Sequence, residues 1–236
     1  MQKTRLAAAL LALSASFAAP IAIGPVAAQI AVSANDGKVR MENGVVRTVP
    51  NNPDTVAIID LKAKPPRLWH EIEAPTSIVG PPTSAAVSPD GSIALVTANM
   101  KLDNADPPKQ VPDNRMSVID LTVNPPVVIA TVETGKGPAG VAISPKGNLA
   151  LVANREEGTV SVFAIEGKTL TSLGKIEFGN EKSGPSGISI SPGGRMALVT
   201  RDGDNRTSVL AIRNGKVVDT KQRIAMKNGG AGIGTR

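Results

Sequence analysis

The 236-residue sequence contains no cysteine and no tyrosine, and only one histidine, one tryptophan and three phenylalanines. Without cysteine there is no disulfide, no Cys-x-x-Cys-His haem attachment, no thiolate metal site and no cysteine nucleophile. A single histidine, His70, excludes a histidine-rich zinc site and gives poor material for a Ser-His-Asp triad. So few aromatics leave no stacking platform for single-stranded nucleic acid. Neither Gly-x-Ser-x-Gly nor a P-loop occurs. The glycine-rich stretch Gly229 to Gly234 has no helix signal after it, so it is no phosphate cradle. Beyond residue 28 no apolar run is long enough to span a membrane, and none keeps a 3.6-residue period, so almost no helix is expected.

Residues 1–28 have the pattern of a secretory signal. Lys3 and Arg5 precede an apolar and small-residue run from Leu6 to Ala19. Pro20, Gly24 and Pro25 break it, and Val26-Ala27-Ala28 suits cleavage before Gln29. The expected location is periplasmic or secreted. Cleavage removes two cations and no acid, so the formal charge of +6 falls to +4. This is mild for a chain of this size and does not point to nucleic acid.

The remaining chain is repetitive. Ser88-Pro89-Asp90-Gly91 leads into Ile93 to Asn99, Ser144-Pro145-Lys146-Gly147 into Leu149 to Asn154, and Ser191-Pro192-Gly193-Gly194 into Met196 to Thr200. An apolar triplet precedes each turn: Ala85-Ala86-Val87, Val141-Ala142-Ile143, Ile188-Ser189-Ile190. Gly-Pro stands further upstream at Gly80-Pro81, Gly137-Pro138 and Gly184-Pro185. Third runs follow at Met116 to Leu121, Thr159 to Ile165 and Thr207 to Ile212. Fourth runs follow at Val127 to Val132, Leu173 to Phe178 and Val217 to Ile224. Four short β-rich runs per repeat, punctuated by Gly, Pro, Asn and Asp, predict four-stranded antiparallel meanders. In Ser-Pro-x-Gly the proline fixes φ, the glycine accepts positive φ and the serine hydroxyl can bond a backbone N–H. Asn214-Gly215 predicts a type I′ hairpin.

The fold class is therefore all-β: a β-propeller of four-stranded antiparallel blades, with about three and a half to four blades present. The expected organisation is a signal peptide over 1–28 and propeller repeats over 29–236. Within them lie a partial blade at 30–73 and blades at about 80–132, 137–178 and 184–224. Residues 225–236 would start a further inner strand or close the first blade. The motif Ser-Pro-Asp-Gly-x-x-Ala-Leu-Val-x-Ala-Asn, with its Val-Ser-Val-type strand and Gly-x-Gly-Pro return, resembles the YVTN repeat of seven-bladed, lactonase-like propellers. The resemblance covers nearly all of residues 30–234, with Ala-Leu-Val in place of the tetrapeptide that names the repeat. It implies that the loops joining second to third strands, and those joining a fourth strand to the next blade, lie on one face around the axis, and that this is the binding face. An incomplete ring would expose strand edges and favour a homodimer.

On that face two long loops are expected, Asn35 to Asp54 and Asn99 to Arg115, and two short charged ones, at 154–157 and 201–206. Asn99, Asn154 and Arg201 occupy equivalent positions and would ring the axis. Arg155 and Arg201 are of the type that forks onto a carboxylate or phosphate. Asp103, Glu156, Asp202 and Asp204 are the candidate oxygen donors, although Asp202-Gly203-Asp204-Asn205 lacks the later bidentate Glu of a calcium loop. No metal and no cofactor is expected. Trp69 is read as a packing residue and His70 as packing between blades or facing solvent, with Leu68, His70 and Ile72 on one strand face and Trp69 and Glu71 on the other. Two functional readings follow. The first is a binding or interaction module that presents this face to a small anionic or hydroxylated ligand or a periplasmic protein partner, with no catalysis of its own. The second is a lactonase-like hydrolase acting on a sugar or other lactone.

Overall fold

The computed structural model describes residues 29–78, 84–230 and 232–235. The expected signal segment 1–28 and Gly80-Pro81 lie outside the described residues. The strands are β1 (Ile30–Asn35), β2 (Val39–Glu42), β3 (Val45–Thr48), β4 (Thr55–Asp60), β5 (Arg67–Glu73), β6 (Ala85–Val87), β7 (Ile93–Leu102), β8 (Gln110–Asp120) and β9 (Val127–Glu133). They continue as β10 (Pro138–Ile143), β11 (Leu149–Asn154), β12 (Thr159–Glu166), β13 (Thr169–Glu177), β14 (Pro185–Ile190), β15 (Met196–Arg201), β16 (Arg206–Arg213) and β17 (Lys216–Ala225). The only helical turn among the described residues is a 3-10 turn at Glu181–Ser183.

The strands form blades. Blade 1 is β1-β4-β5, blade 2 β6-β7-β8-β9, blade 3 β10-β11-β12-β13 and blade 4 β14-β15-β16-β17, all antiparallel. The chain is thus a partial β-propeller. The Ser-Pro turns form as their residues dictate. Gly91, Gly147 and Gly194 sit at φ 72°, 72° and 66°. Each donates its N–H to the turn serine carbonyl at 2.8 Å. Each serine hydroxyl accepts from the first amide of the next strand, Ile93, Leu149 or Met196, at 3.0–3.2 Å. Asn214 and Gly215 both have positive φ, as a type I′ hairpin requires.

Strand alternation becomes blade stacking. On β11, Leu149, Leu151 and Ala153 face blade 4 and meet Ile188, Val199 and Leu210. The intervening Ala150 and Val152 face blade 2 and meet Leu95, Met116 and Val118. A third core joins Val56 and Ile58 of blade 1 to Ala94, Val96 and Ile119 of blade 2. Both faces of an interior blade are buried, so its strands read as continuous apolar runs. Each fully buried Leu or Val in these cores contributes about 1.5–3 kcal/mol. No core cluster joins blade 4 to blade 1, so the described blades form an arc. The C-terminal segment lies on blade 4, where Thr235 Oγ1 donates to the Ile190 carbonyl at 2.7 Å.

Two expectations need correction. The outer strand of blade 1 is bulged, because Ile58 pairs with His70 but Ile59 with Leu68, leaving Trp69 as the extra residue. Strict alternation therefore fails. Trp69 and Ile72 both pack on the core, while Leu68 is 56% exposed. The two long loops are also not loops. Residues 99–115 continue β7 and β8 as a paired ribbon to Leu102↔Gln110, and 35–54 contains the hairpin β2–β3. Asn43 and Gly44, both at positive φ, form the tip of that hairpin.

Candidate functional site

In blades 3 and 4 the connection from second to third strand is a short turn, pinned to the segment that enters the same blade's inner strand. Arg155 N donates to Gly137 O at 2.7 Å, and Asp202 N donates to Gly184 O at 3.1 Å. The pinning brings side chains from the two blades together. Arg155 of blade 3 reaches Asp202 of blade 4 through Nη2 at 2.9 Å and Nε at 3.3 Å, both to Oδ2. Ser186 Oγ donates to the same oxygen at 3.1 Å. Arg155 Nη1 also lies 3.4 Å from Glu156 Oε1.

The linker between the blades supplies the opposite wall. Asn180 Oδ1 accepts from Lys182 N at 3.0 Å and starts the 3-10 turn, which Gly184 ends at φ 61°. A Cβ on Gly184 would collide with Asp202 Oδ1, so the close approach requires glycine. The result is a cleft of about 260 Å³ between Arg155, Glu156, Glu181, Lys182 and Asp202. It is charged throughout. Lys182 and Glu181 have no ion-pair partner among the described residues. The lining sets the two cations Arg155 and Lys182 among the three carboxylates of Glu156, Glu181 and Asp202, and holds a carboxylate beside a guanidinium.

The structure thus brings Arg155, Glu156 and Asp202 together, and places the other candidates elsewhere. Asn99 and Asn154 are buried. Asn99 Nδ2 donates to Gly137 O of the next blade at 2.7 Å. Asn154 accepts from Gly135 N at 3.1 Å and donates to Thr159 and Ser161 at 2.9 Å. Arg201 is 3% exposed and turned inward, with its guanidinium 4.9 Å from the Phe178 ring centroid, 3.0 Å from Ser208 Oγ and paired with Asp204. Asp103 closes the tip of the β7–β8 ribbon, where amides of Lys109 and Ala105 hold its carboxyl below the usual range. No three acidic, histidine or cysteine side chains gather as a metal site among the described residues. Asp202 and Asp204 turn away from each other to different arginines. His70 Nε2 lies 2.7 Å from Asn124 Oδ1, which ties blade 1 to blade 2.

A second charged group, at the junction of blades 1 and 2, was not legible as a unit. Asp54, at the end of an expected loop, is buried and accepts from Gly37 N and Thr76 N, with Lys38 Nζ at 2.5 Å. Asp113 holds Arg115 by two guanidinium nitrogens, Nη2 at 2.6 Å. Hydrogen bonding to Asp113 raises the Arg115 pKa against the opposing effect of burial, and the charges of Asp113 and Asp54 add to it. At the outer side of the blade 3 turn, burial of Glu157 opposes its ionisation. Hydrogen bonds from Lys175, Lys136 N and Thr159 nevertheless keep its carboxyl below the usual range.

Residues 115–231 match the family model described as "Lactonase, 7-bladed beta-propeller". No curated protein matches the chain. Among solved structures, a protein of unknown function from Desulfotomaculum acetoxidans is 18% identical with a TM-score of 0.61, over 89% of this chain and 59% of that one. A candidate 6-phosphogluconolactonase from Bacteroides fragilis is 16% identical with a TM-score of 0.56, over 84% and 56%. The periplasmic gluconolactonase PpgL of Pseudomonas aeruginosa is 17% identical with a TM-score of 0.56, over 85% and 70%. The chain spans less than three fifths of the length of the first two. At these identities the likeness establishes the fold. The chain is a partial β-propeller of antiparallel blades, and its residues 115–231 are similar to the seven-bladed lactonase propellers.

Proposed function

We propose that these YVTN-type blades serve a periplasmic enzyme that hydrolyses a sugar lactone, with the cleft between blades 3 and 4 in the reaction. The observation that carries this reading is the lactonase family match over 115–231, a segment that contains the whole cleft. The lactonase-type structural neighbours support it. The first expectation, a binding module without catalysis, has no comparable support.

In this reading Arg155, held in place by Asp202 and Ser186, faces the lactone carbonyl and stabilises the oxyanion formed on attack. Glu156 takes the proton from the attacking water, and Lys182 anchors the sugar hydroxyls. Collapse breaks the acyl–oxygen bond, and the departing alkoxide receives the proton. The net change is addition of one water across the ester, giving the open hydroxy acid. The pair Arg155–Asp202 is a positioning contact as well as a charge pair. It fixes the guanidinium through Nε and Nη2, while Nη1 faces Glu156 Oε1.

The test is hydrolysis of glucono-δ-lactone followed by pH-stat. Turnover above the spontaneous rate is expected, with Arg155→Ala lowering kcat about 10²-fold. A chain that folds, as judged by circular dichroism, and gives no rate above the spontaneous one across a panel of aldonolactones overturns the reading.

A further inference from the structure

The three blade junctions differ on the face opposite the cleft, where the Ser-Pro turns and the turns between third and fourth strands gather. At the first junction His70 meets Asn124. At the second, Lys168 Nζ donates to Asp120 Oδ2 and to Thr122 Oγ1, each at 2.6 Å. The third junction has no such bridge among the described residues. Gly193-Gly194 stands where blade 3 has Lys146-Gly147, and Asn214-Gly215 where blade 3 has Gly167-Lys168, so blade 4 has no lysine at either of the two positions that carry one in blade 3. A groove of about 770 Å³ opens there instead, within the size range of small-molecule sites.

The lining of this groove is amphipathic. Leu149 and Ile212 form its floor beside Leu173, the extra residue of a bulge in β13, which is 54% exposed. Lys146 and Arg195 stand on opposite walls, one from each blade, and neither has an acidic partner among the described residues. Glu166 is the one acid in the lining. Arg213 and Lys216, on either side of Asn214-Gly215, add further unpaired cations. At the second junction, by contrast, the cation is consumed by Asp120, whose carboxyl the Lys168 hydrogen bond holds below the usual range.

We propose that this groove is a second ligand site, separate from the lactone cleft, and that it takes a monocarboxylate with an apolar body. The apolar part lies on Leu149, Leu173 and Ile212. The carboxylate meets the Lys146 and Arg195 cations, which lack any other anion. Glu166 repels a second negative charge, so a dicarboxylate binds less well than a monoanion. The site does not depend on the lactonase reading.

The experiment titrates 4-phenylbutyrate, its neutral amide and phenylsuccinate into the isotope-labelled full-length chain and follows backbone amide NMR signals. Saturable shifts at Gly193, Gly194, Gly215 and Leu173 are expected with the monoacid. The amide and the double variant Lys146→Glu/Arg195→Glu should bind at least about tenfold more weakly, a loss of about 1.4 kcal/mol. Both substituted residues are exposed and unpaired, so the variant should fold, and it should keep its lactone turnover. Three results each overturn the proposal: no shifts at these residues at about 10 mM ligand, equal binding of acid and amide, or a double variant that binds as the parent does. None of them bears on the lactone assay, so the two readings fail separately.

Discussion

Blades 1 and 2 make the connection from second to third strand through paired β ribbons, whereas blades 3 and 4 make it in four residues. The difference decides where a small molecule can sit. The ribbons satisfy their own backbone groups, and their charges pair locally: Lys38 with Asp54, and Arg115 with Asp113. The short turns do so only in part, as where Arg201 pairs with Asp204. They lean on the linker before the inner strand, so Arg155 finds its partner across the junction in Asp202, and a cleft remains between them. The same charged residue types, on equivalent loops of one repeat, hold a ribbon in one half of the molecule and line a cleft in the other.

The largest effect is expected in the core that carries the cleft. Leu151 is fully buried between blades 3 and 4. Leu151→Ala should cost about 2–5 kcal/mol in urea unfolding, while truncating the exposed Leu173 should cost under about 0.5 kcal/mol. Equal losses would show that the junction is not packed as described.

A smaller effect is expected at Asp219 of blade 4. Burial opposes its ionisation, but hydrogen bonds from Arg223 and the Lys221 amide lower its pKa to about 2. Arg223 in turn lies 5.5 Å from the Phe178 ring centroid, so the pair holds the linker to the blade. A depressed carboxyl pKa contributes stability that is present in full above the unfolded value near 4 and is lost as pH falls through about 2. Asp219→Asn should therefore cost about 2 kcal/mol at pH 7, and its difference from the parent should vanish near pH 2. A difference that does not change with pH would refute the assignment.

Two still smaller effects sharpen the contrast. Gly184→Ala forces a side chain into a left-handed position against Asp202. It should cost about 1–2 kcal/mol and disturb the cleft. Asn99→Ala removes the bond to Gly137 O that fastens blade 3 to blade 2. It should cost about 1 kcal/mol and leave the cleft intact, as thermal unfolding and lactone kinetics would report. The reverse pattern would place the site in the ribbon half.

Much of the fold was legible because its signals are local and repeated. Ser-Pro-x-Gly turns, alternating apolar runs and Asn214-Gly215 all require the conformations found. Asn43-Gly44 has the same hairpin chemistry and would have revealed the β2–β3 ribbon, but it lies among charged residues that read as a loop. The bulge at Trp69 left no local mark, because it is set by the register of β4 against β5. The site was legible in part. Of the expected candidates, Arg155, Glu156 and Asp202 come together across the junction, whereas Asn99, Asn154 and Arg201 share the equivalent position and point inward to structural partners. Residue type cannot reveal that Arg201 has Phe178 as its neighbour, since the two come together only when the linker folds back on blade 4. Lys182 and Glu181 were not named because the charged candidates were sought in the connections from second to third strand, and these two belong to the connection from β13 to β14.

The central claim is that the cleft at the third junction, and not the charged ribbon at the first, supports lactone hydrolysis. Comparing kcat/KM for glucono-δ-lactone in Arg155→Ala and Arg115→Ala tests it most directly. The account predicts a loss of about 10²-fold for Arg155→Ala and a parental rate for Arg115→Ala, whose cost appears only in stability. A parental rate for Arg155→Ala with loss in Arg115→Ala would contradict it.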